Sequence, residues 1–134
     1  MNPLNRMEKV QNGIASPIVS GLVVSVLVML AGVLVVSLVL AWSVMPEDSL
    51  PMSVTIIHGI ALLAGGLTTG RKKGMKGWYY GSLLGIIYWV MIVLIGFLSM
   101  NAPFDRDMLI AGAACFVTGA VGGIIGVNLT SKRR

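Results

Sequence analysis

Charged side chains are scarce in this sequence. Of its 134 residues, 11% are Asp, Glu, Lys or Arg, whereas 56% are hydrophobic. An average soluble domain is about 25% charged, and a small chain needs polar residues to cover its large surface. The composition therefore excludes an ordinary soluble domain, and the high hydrophobic content excludes intrinsic disorder. An integral membrane protein is the class that remains.

Residues that build reactive sites are also scarce. The sequence holds one cysteine, Cys115, and one histidine, His58. A single cysteine excludes a disulfide scaffold, and one cysteine with one histidine cannot complete a zinc ligand set. The sequence shows no nucleophile paired with a base. We therefore expect no enzymatic activity, no metal and no cofactor.

Four long stretches of the chain carry no formal charge, and each is long enough to cross a membrane. A helix needs about 20 apolar residues to span about 30 Å of hydrocarbon. The sequence therefore predicts an all-α membrane protein, a four-helix bundle that forms a single domain over residues 1–134 with short loops. The predicted helices lie at about 17–44, 52–70, 77–99 and 108–129.

Several residues predict where these helices begin and end. Ser16 followed by Pro17 is typical of a helix start, because proline is favoured at the first helical position. The first apolar run is longer than a bilayer requires, so that helix should tilt or extend past the membrane. The segment 101–103 predicts the end of the third helix. Asp105 or Asp107 can cap the fourth helix.

The distribution of basic residues predicts the orientation in the membrane. Nine of the ten Lys and Arg residues lie in the N-terminus, the loop at 71–76 and the C-terminus, whereas four of the five acids lie in the other two loops. Lys and Arg are concentrated on the cytoplasmic side. We therefore expect a multi-pass protein of the bacterial cytoplasmic membrane with both termini and the loop at 71–76 inside the cell.

The loop at 71–76 is the densest basic cluster. Its four basic residues either fix the topology or contact anionic lipid head groups, which attract Lys and Arg near the membrane surface. We do not expect nucleic-acid binding, because the cluster is short and held at the bilayer. The candidate lipid contacts are Arg71, Lys72, Lys73 and Lys76.

Small residues recur every four positions in the second, third and fourth predicted helices. Residues four apart share a helix face, and helices in lipid associate through close backbone contact. We expect these rows to pack the helices of one chain together, the alternative being a homodimer face, and we expect the first helix to face more lipid. The candidate packing residues are Gly66, Gly70, Gly77, Gly81, Gly85, Gly119, Gly122, Gly123 and Gly126.

The candidate polar site within the membrane consists of His58 and Tyr88. His58 lies one to two turns inside the second predicted helix, and Tyr88 lies near the middle of the third. The histidine either lines a water-filled cavity or forms a hydrogen bond with another helix, for example with Tyr88. A lone histidine lacks partners for a proton relay, which favours the hydrogen bond. Aromatic residues near the helix ends, Tyr80 among them, are predicted to lie at the membrane interfaces.

The segment from Gly66 to Trp89 carries a recognisable pattern. It contains Gly70-Arg71-Lys72, followed by Lys76-Gly77-Trp78-x-Tyr80-Gly81-x-x-x-Gly85. This pattern resembles the YrzE-like family of small four-helix membrane proteins from Bacillus-type bacteria, and the overall plan is similar over nearly the full chain. The resemblance implies a bacterial cytoplasmic-membrane protein. That family has no assigned activity, so the resemblance assigns no site residues.

Three functional classes remain open. The small size, the packing rows and the scarcity of reactive groups favour a non-enzymatic accessory or regulatory subunit of a larger bacterial membrane complex. One alternative is a small oligomeric channel or transporter subunit with His58 near its mouth, and another is a holin-like protein. The expected partners are the lipid bilayer with its anionic head groups, together with another membrane protein or a second copy of this chain.

Overall fold

Four long helices make up almost all of the described chain. The structure, a computed structural model, describes residues 2–44, 46–100 and 104–132, apart from the side chains of Glu47 and Met100. All four helices are long and apolar enough to cross a membrane, which confirms the predicted all-α architecture. The elements are α1 (Pro3–Trp42), a short 3-10 helix (Glu47–Ser49), α2 (Leu50–Lys73), α3 (Gly77–Met100) and α4 (Arg106–Ser131).

Successive helices run in opposite directions, so the bundle has two distinct ends. The first residues of α1, the turn between α2 and α3, and the last residues of α4 lie at one end, which we call the basic end. The loops that precede α2 and α4 lie at the other end, which we call the acidic end. The predicted stop signal at 101–103 lies outside the described residues.

The predicted start of the first helix is wrong. Helix α1 begins at Pro3, and Pro17 lies inside it. Proline has no N–H, so a proline inside a helix leaves the carbonyl four residues earlier without its donor. That carbonyl belongs to Gly13, and the Lys73 ammonium of α2 donates to it at 2.9 Å. Helix α1 continues through Pro17, and a neighbouring helix supplies a donor to the carbonyl that the proline leaves open.

The other helix ends lie closer to their predicted positions. Helix α2 extends through Arg71, Lys72 and Lys73, so the predicted six-residue loop shortens to a turn. Gly74 ends α2 in the left-handed conformation with a φ of 69°, and its N–H donates to the carbonyl of Gly70 at 2.9 Å. Asp105 caps α4, since its carboxylate accepts a hydrogen bond from the N–H of Arg106 at 2.8 Å.

Helix α4 packs backbone against backbone on both α2 and α3. A β-carbon added at Gly119 or Gly123 would collide with the backbone of α3, and one added at Gly126 would collide with the backbone of α2. A β-carbon added at the facing glycines of α2 and α3 would likewise collide with the backbone of α4. The structure therefore places all nine predicted packing glycines at contacts within the chain.

Helix α1 lies on the outside of this three-helix core. It approaches α2 closely at Gly21, where an added β-carbon would collide with the side chain of Thr69. In its most apolar 18-residue window only 6% of residues are buried, compared with 22–28% in the other three helices. Helix α1 contacts α2 and α3 but not α4 among the described residues. It therefore exposes the largest apolar surface to lipid.

Candidate functional site

A hydrogen bond between His58 and Tyr88 joins α2 to α3. The His58 Nδ1 atom and the Tyr88 hydroxyl oxygen lie 2.8 Å apart, and the histidine tautomer decides which of them donates. The two rings meet edge to face with their centroids 5.9 Å apart. Tyr88 is fully buried, so its hydroxyl needs a partner inside the bundle. The structure thus brings together the two residues of the predicted polar site.

Two cavities meet at His58, in the half of the bundle nearer the acidic end. The first cavity, of about 280 Å³, lies between α2, α3 and α4. The second cavity, of about 360 Å³, lies between α1 and α3. His58 and Ile92 line both of them. A single imidazole is therefore within reach of molecules in either space.

The polar side chains in the wall of the first cavity bond to backbone carbonyls. The Thr55 hydroxyl donates to Pro51 at 2.8 Å, and the Thr118 hydroxyl donates to Ala114 at 2.7 Å. The hydrogen bond with Tyr88 uses Nδ1 of His58 and leaves Nε2 without a partner in the described part of the chain. His58 is therefore the residue of this wall best placed to bond a guest molecule.

Trp89 forms the wall of the first cavity near the acidic end. Its Nε1 atom donates to the carbonyl of Met108 at 3.0 Å. A β-carbon at Gly112 would lie 2.8 Å from the indole ring, so Gly112 allows the ring to rest directly on α4. Phe104 packs edge to face on the same indole. The tryptophan is held from three directions and gives this wall a fixed shape.

The chemistry available at the site is limited. Cys115 lines the first cavity as a free cysteine of intermediate exposure. The described residues contain no group of three or more His, Cys, Asp or Glu side chains that could hold a metal ion. The arrangement can enclose an apolar molecule and offer it a hydrogen bond. The cavities themselves could not be predicted from the sequence, in which Gly59 and Gly112 carry no distinguishing signal.

The four basic residues of the loop at 71–76 have two different environments in the structure. Arg71, Lys72 and Lys76 are exposed, and their contact with lipid head groups stays a prediction. Lys73 is less exposed, and its ammonium lies 4.9 Å from the ring centroid of Tyr80 while it donates to α1. Tyr80 itself is buried, so its ring packs inside the bundle, and its place at the membrane interface stays a prediction. Lys73 and Tyr80 hold helices together at the basic end.

Residues 3–12 of α1 project beyond the basic end of the bundle, and we call them the N-terminal extension. Leu4, Met7 and Val10 are 67%, 68% and 58% exposed. At a spacing of three residues they share one face of the helix, and we call them the apolar stripe. Asn5 and Asn12 lie on the opposite face. The extension is an amphipathic helix, and no other part of the chain among residues 13–44, 46–100 and 104–132 covers its apolar face.

Comparisons with known proteins place this geometry in a family. The family model described as "Protein of unknown function (DUF3792)" matches residues 14–126. The chain is also similar to the uncharacterized membrane protein YrzE of Bacillus subtilis (strain 168), with 31% identity over 116 residues, 87% of this chain and 77% of the relative. No solved structure matches the chain. The family match includes His58, Tyr88 and both cavities, and it begins after the N-terminal extension.

Proposed function

Since the chain belongs to the DUF3792 family, whose members are proteins of unknown function, we propose that it is a non-enzymatic accessory or regulatory subunit of a larger complex in the bacterial cytoplasmic membrane. In this proposal both termini and the turn after α2 face the cytoplasm. The basic residues at that end support the orientation, because Lys and Arg are concentrated on the cytoplasmic side of membrane proteins.

The observation that carries the proposal is the exposed apolar stripe on the N-terminal extension. Helix α1 has 40 residues, a length of about 60 Å, whereas the hydrocarbon core is about 30 Å thick. The extension therefore emerges into water, where an apolar face of this kind usually marks a contact surface. Its helical spacing fits the apolar groove of a partner protein.

The partner that we propose is the cytoplasmic face of another protein of the same complex. Helix α1 fixes the extension close to the membrane, so a partner in that membrane lies within its reach. Arg6 lies at the edge of the stripe, next to Val10, and favours an acidic residue at the rim of the partner's groove. The stripe could instead contact the lipid surface or a second copy of this chain, and the test distinguishes these two cases from a partner protein.

The packing of the bundle supports an accessory role over that of a channel. Leu62, Leu84, Thr69 and Tyr88 are fully buried in the middle of the bundle, and the glycine contacts bring the backbones together toward the basic end. This packing favours a filled bundle over a pore through a single chain. A channel would have to form between several copies of the chain.

The test compares two double variants of the extension. Met7→Ser with Val10→Ser removes the stripe, whereas Asn5→Ser with Asn12→Ser changes the opposite face and serves as the matched control. The tagged proteins are purified from their native membranes in mild detergent, and the recovered proteins are quantified by mass spectrometry. We expect one membrane protein at a fixed ratio with the wild type and the control, and a loss of at least tenfold with the stripe variant.

Three results would refute the accessory role. They are the absence of any protein at a fixed ratio with the wild type, equal recovery by the two double variants, and recovery of an untagged copy of this chain alone. The full-length protein in vesicles that hold no other protein provides the last comparison. If the extension lies on the vesicle surface there, and the stripe variant no longer does so, the stripe contacts lipid instead.

A further inference from the structure

The first cavity is large enough to hold part of a lipid molecule. An apolar cavity of about 150 Å³ in a protein interior stays dry and binds benzene, and the cavity between α2, α3 and α4 has about 280 Å³. Most of its wall surface is apolar, with Leu62, Ile92 and Val93 on two of its sides. Its occupant must therefore be mainly apolar.

The wall also limits which polar groups the bound molecule can carry. The hydroxyls of Thr55 and Thr118 and the indole N–H of Trp89 all donate to backbone carbonyls, whereas Nε2 of His58 remains available. Among the residues that the structure describes, no Lys or Arg lines the cavity, so a phosphate or carboxylate would lie there without a counter-charge, at a high cost in free energy. The wall suits a molecule with one uncharged hydrogen-bonding group.

The position of His58 gives the depth of that group. His58 lies eight residues after Leu50, the first residue of α2, which places it about 12 Å below the acidic end of the bundle. An apolar molecule dissolved in the hydrocarbon of the membrane can reach this depth. We propose that the first cavity binds an uncharged lipid that carries one hydroxyl or carbonyl oxygen, with this oxygen hydrogen-bonded to Nε2 of His58.

Two open glycines allow the two cavities to be filled separately. Gly59 lines the first cavity and Gly96 lines the second. A β-carbon at either position would have no heavy atom of another part of the chain within 4 Å. Gly59→Leu therefore fills the first cavity, and Gly96→Leu fills the second without touching the first. The two variants are matched in residue type and in volume change, and both positions lie inside a helix.

The experiment is photolabelling of the full-length protein in vesicles of phosphatidylglycerol and phosphatidylethanolamine. The probe is hexadecanol that carries a photoreactive diazirine in its chain, and the labelled peptides are identified by mass spectrometry. We expect saturable labelling of α4 between Met108 and Thr118. Gly59→Leu should reduce this labelling at least tenfold, whereas Gly96→Leu should leave it within twofold of the wild type.

Two further probes test the hydrogen bond without changing the protein. Hexadecane with the same diazirine lacks the hydroxyl, and phosphatidylglycerol with a diazirine in one chain carries a charged head group. Both should label α4 about tenfold less than the alcohol, since one hydrogen bond distinguishes the alkane from the alcohol. Equal labelling by alkane and alcohol, equal loss in the two glycine variants, or labelling confined to the lipid-facing residues of α1 would overturn the proposal.

Discussion

Lys73 on α2 donates a hydrogen bond to the carbonyl oxygen of Gly13 on α1, with 2.9 Å between the two atoms. This carbonyl is the one that Pro17 leaves without a helical donor. The same ammonium lies over the ring of Tyr80 on α3. A single basic residue thus joins three helices at the basic end and holds the base of the N-terminal extension.

Replacement of Lys73 by Met should loosen the extension. A hydrogen bond from a charged donor contributes about 1.5–3 kcal/mol when buried, and this exposed one should contribute about 1 kcal/mol or less. We expect faster amide hydrogen exchange in residues 5–14 of Lys73→Met, while Lys72→Met, at the exposed neighbouring position, should exchange like the wild type. Equal exchange in both variants would contradict the role of Lys73.

Pro17→Ala provides a second test of the same relationship. Alanine restores the N–H that bonds the Gly13 carbonyl within α1, so the Lys73 ammonium becomes dispensable there. Lys73→Met should therefore cost less free energy of unfolding in the Pro17→Ala background than in the wild type, a coupling that a double-mutant cycle measures. Additive effects of the two substitutions would show that Lys73 and Pro17 act independently.

The glycine contacts predict opposite outcomes for two glycines of the same helix. A β-carbon at Gly81 would collide with the carbonyl of Gly119, whereas one at Gly96 meets no other part of the chain. Gly81→Ala should lower the free energy of unfolding by about 1–3 kcal/mol, as overpacked cores do. Gly96→Ala should leave it unchanged or raise it slightly. Thermal unfolding in detergent measures both, and equal stabilities would exclude the packing described for α3 and α4.

Tyr88→Phe removes one partner of the hydrogen bond between α2 and α3. The hydroxyl of Tyr88 bonds His58, so its removal should cost about 1 kcal/mol. Tyr79→Phe removes the hydroxyl of a half-exposed tyrosine and should have little effect. The loss from Tyr88→Phe should disappear in a His58→Phe background, and a loss of the same size in both backgrounds would show that the hydroxyl is stabilised by another contact.

The exposed basic residues should retain anionic lipids. Arg71, Lys72 and Lys76 are exposed at the basic end, and a basic residue near an anionic surface contributes about 1 kcal/mol to binding. Their simultaneous replacement by Gln should lower the number of phosphatidylglycerol molecules retained in native mass spectrometry. Arg106→Gln, at the acidic end, should change it less. Similar losses in the two variants would argue against a lipid contact of the basic cluster.

The four membrane spans could be predicted from the sequence because their signal is local. Every formal charge lies outside the predicted spans, and the cost of burying charge in lipid forces this separation. The contact between His58 and Tyr88 could also be predicted, since His58 is the one histidine of the sequence and Tyr88 lies near the middle of the next predicted span. Helix starts depend on less local effects, as Pro17 shows: the chain stays helical through it, and the donor to the carbonyl that it leaves open comes from Lys73, which is distant in sequence.

The cavities and the role of Tyr80 were beyond sequence reasoning for a related reason. A cavity forms where three helices fail to fill the space between them, and its walls depend on how Trp89 rests on Gly112. In the sequence Tyr80 cannot be distinguished from other aromatic residues near a helix end. In the structure the packing of α3 buries its ring, with the Lys73 ammonium over it. Both depend on the rotation of helices about their axes, which local patterns leave undetermined.

The most direct test of the central claim, that the stripe contacts a partner protein, is crosslinking in living cells. The photoreactive residue benzoylphenylalanine is placed at Met7 in the stripe or at Asn12 on the opposite face. We predict a crosslink from Met7 to one membrane protein that is at least tenfold stronger than any crosslink from Asn12 and that Val10→Ser abolishes. Crosslinks of equal strength from the two positions, or crosslinks from Met7 to lipid or to a second copy alone, would contradict the claim.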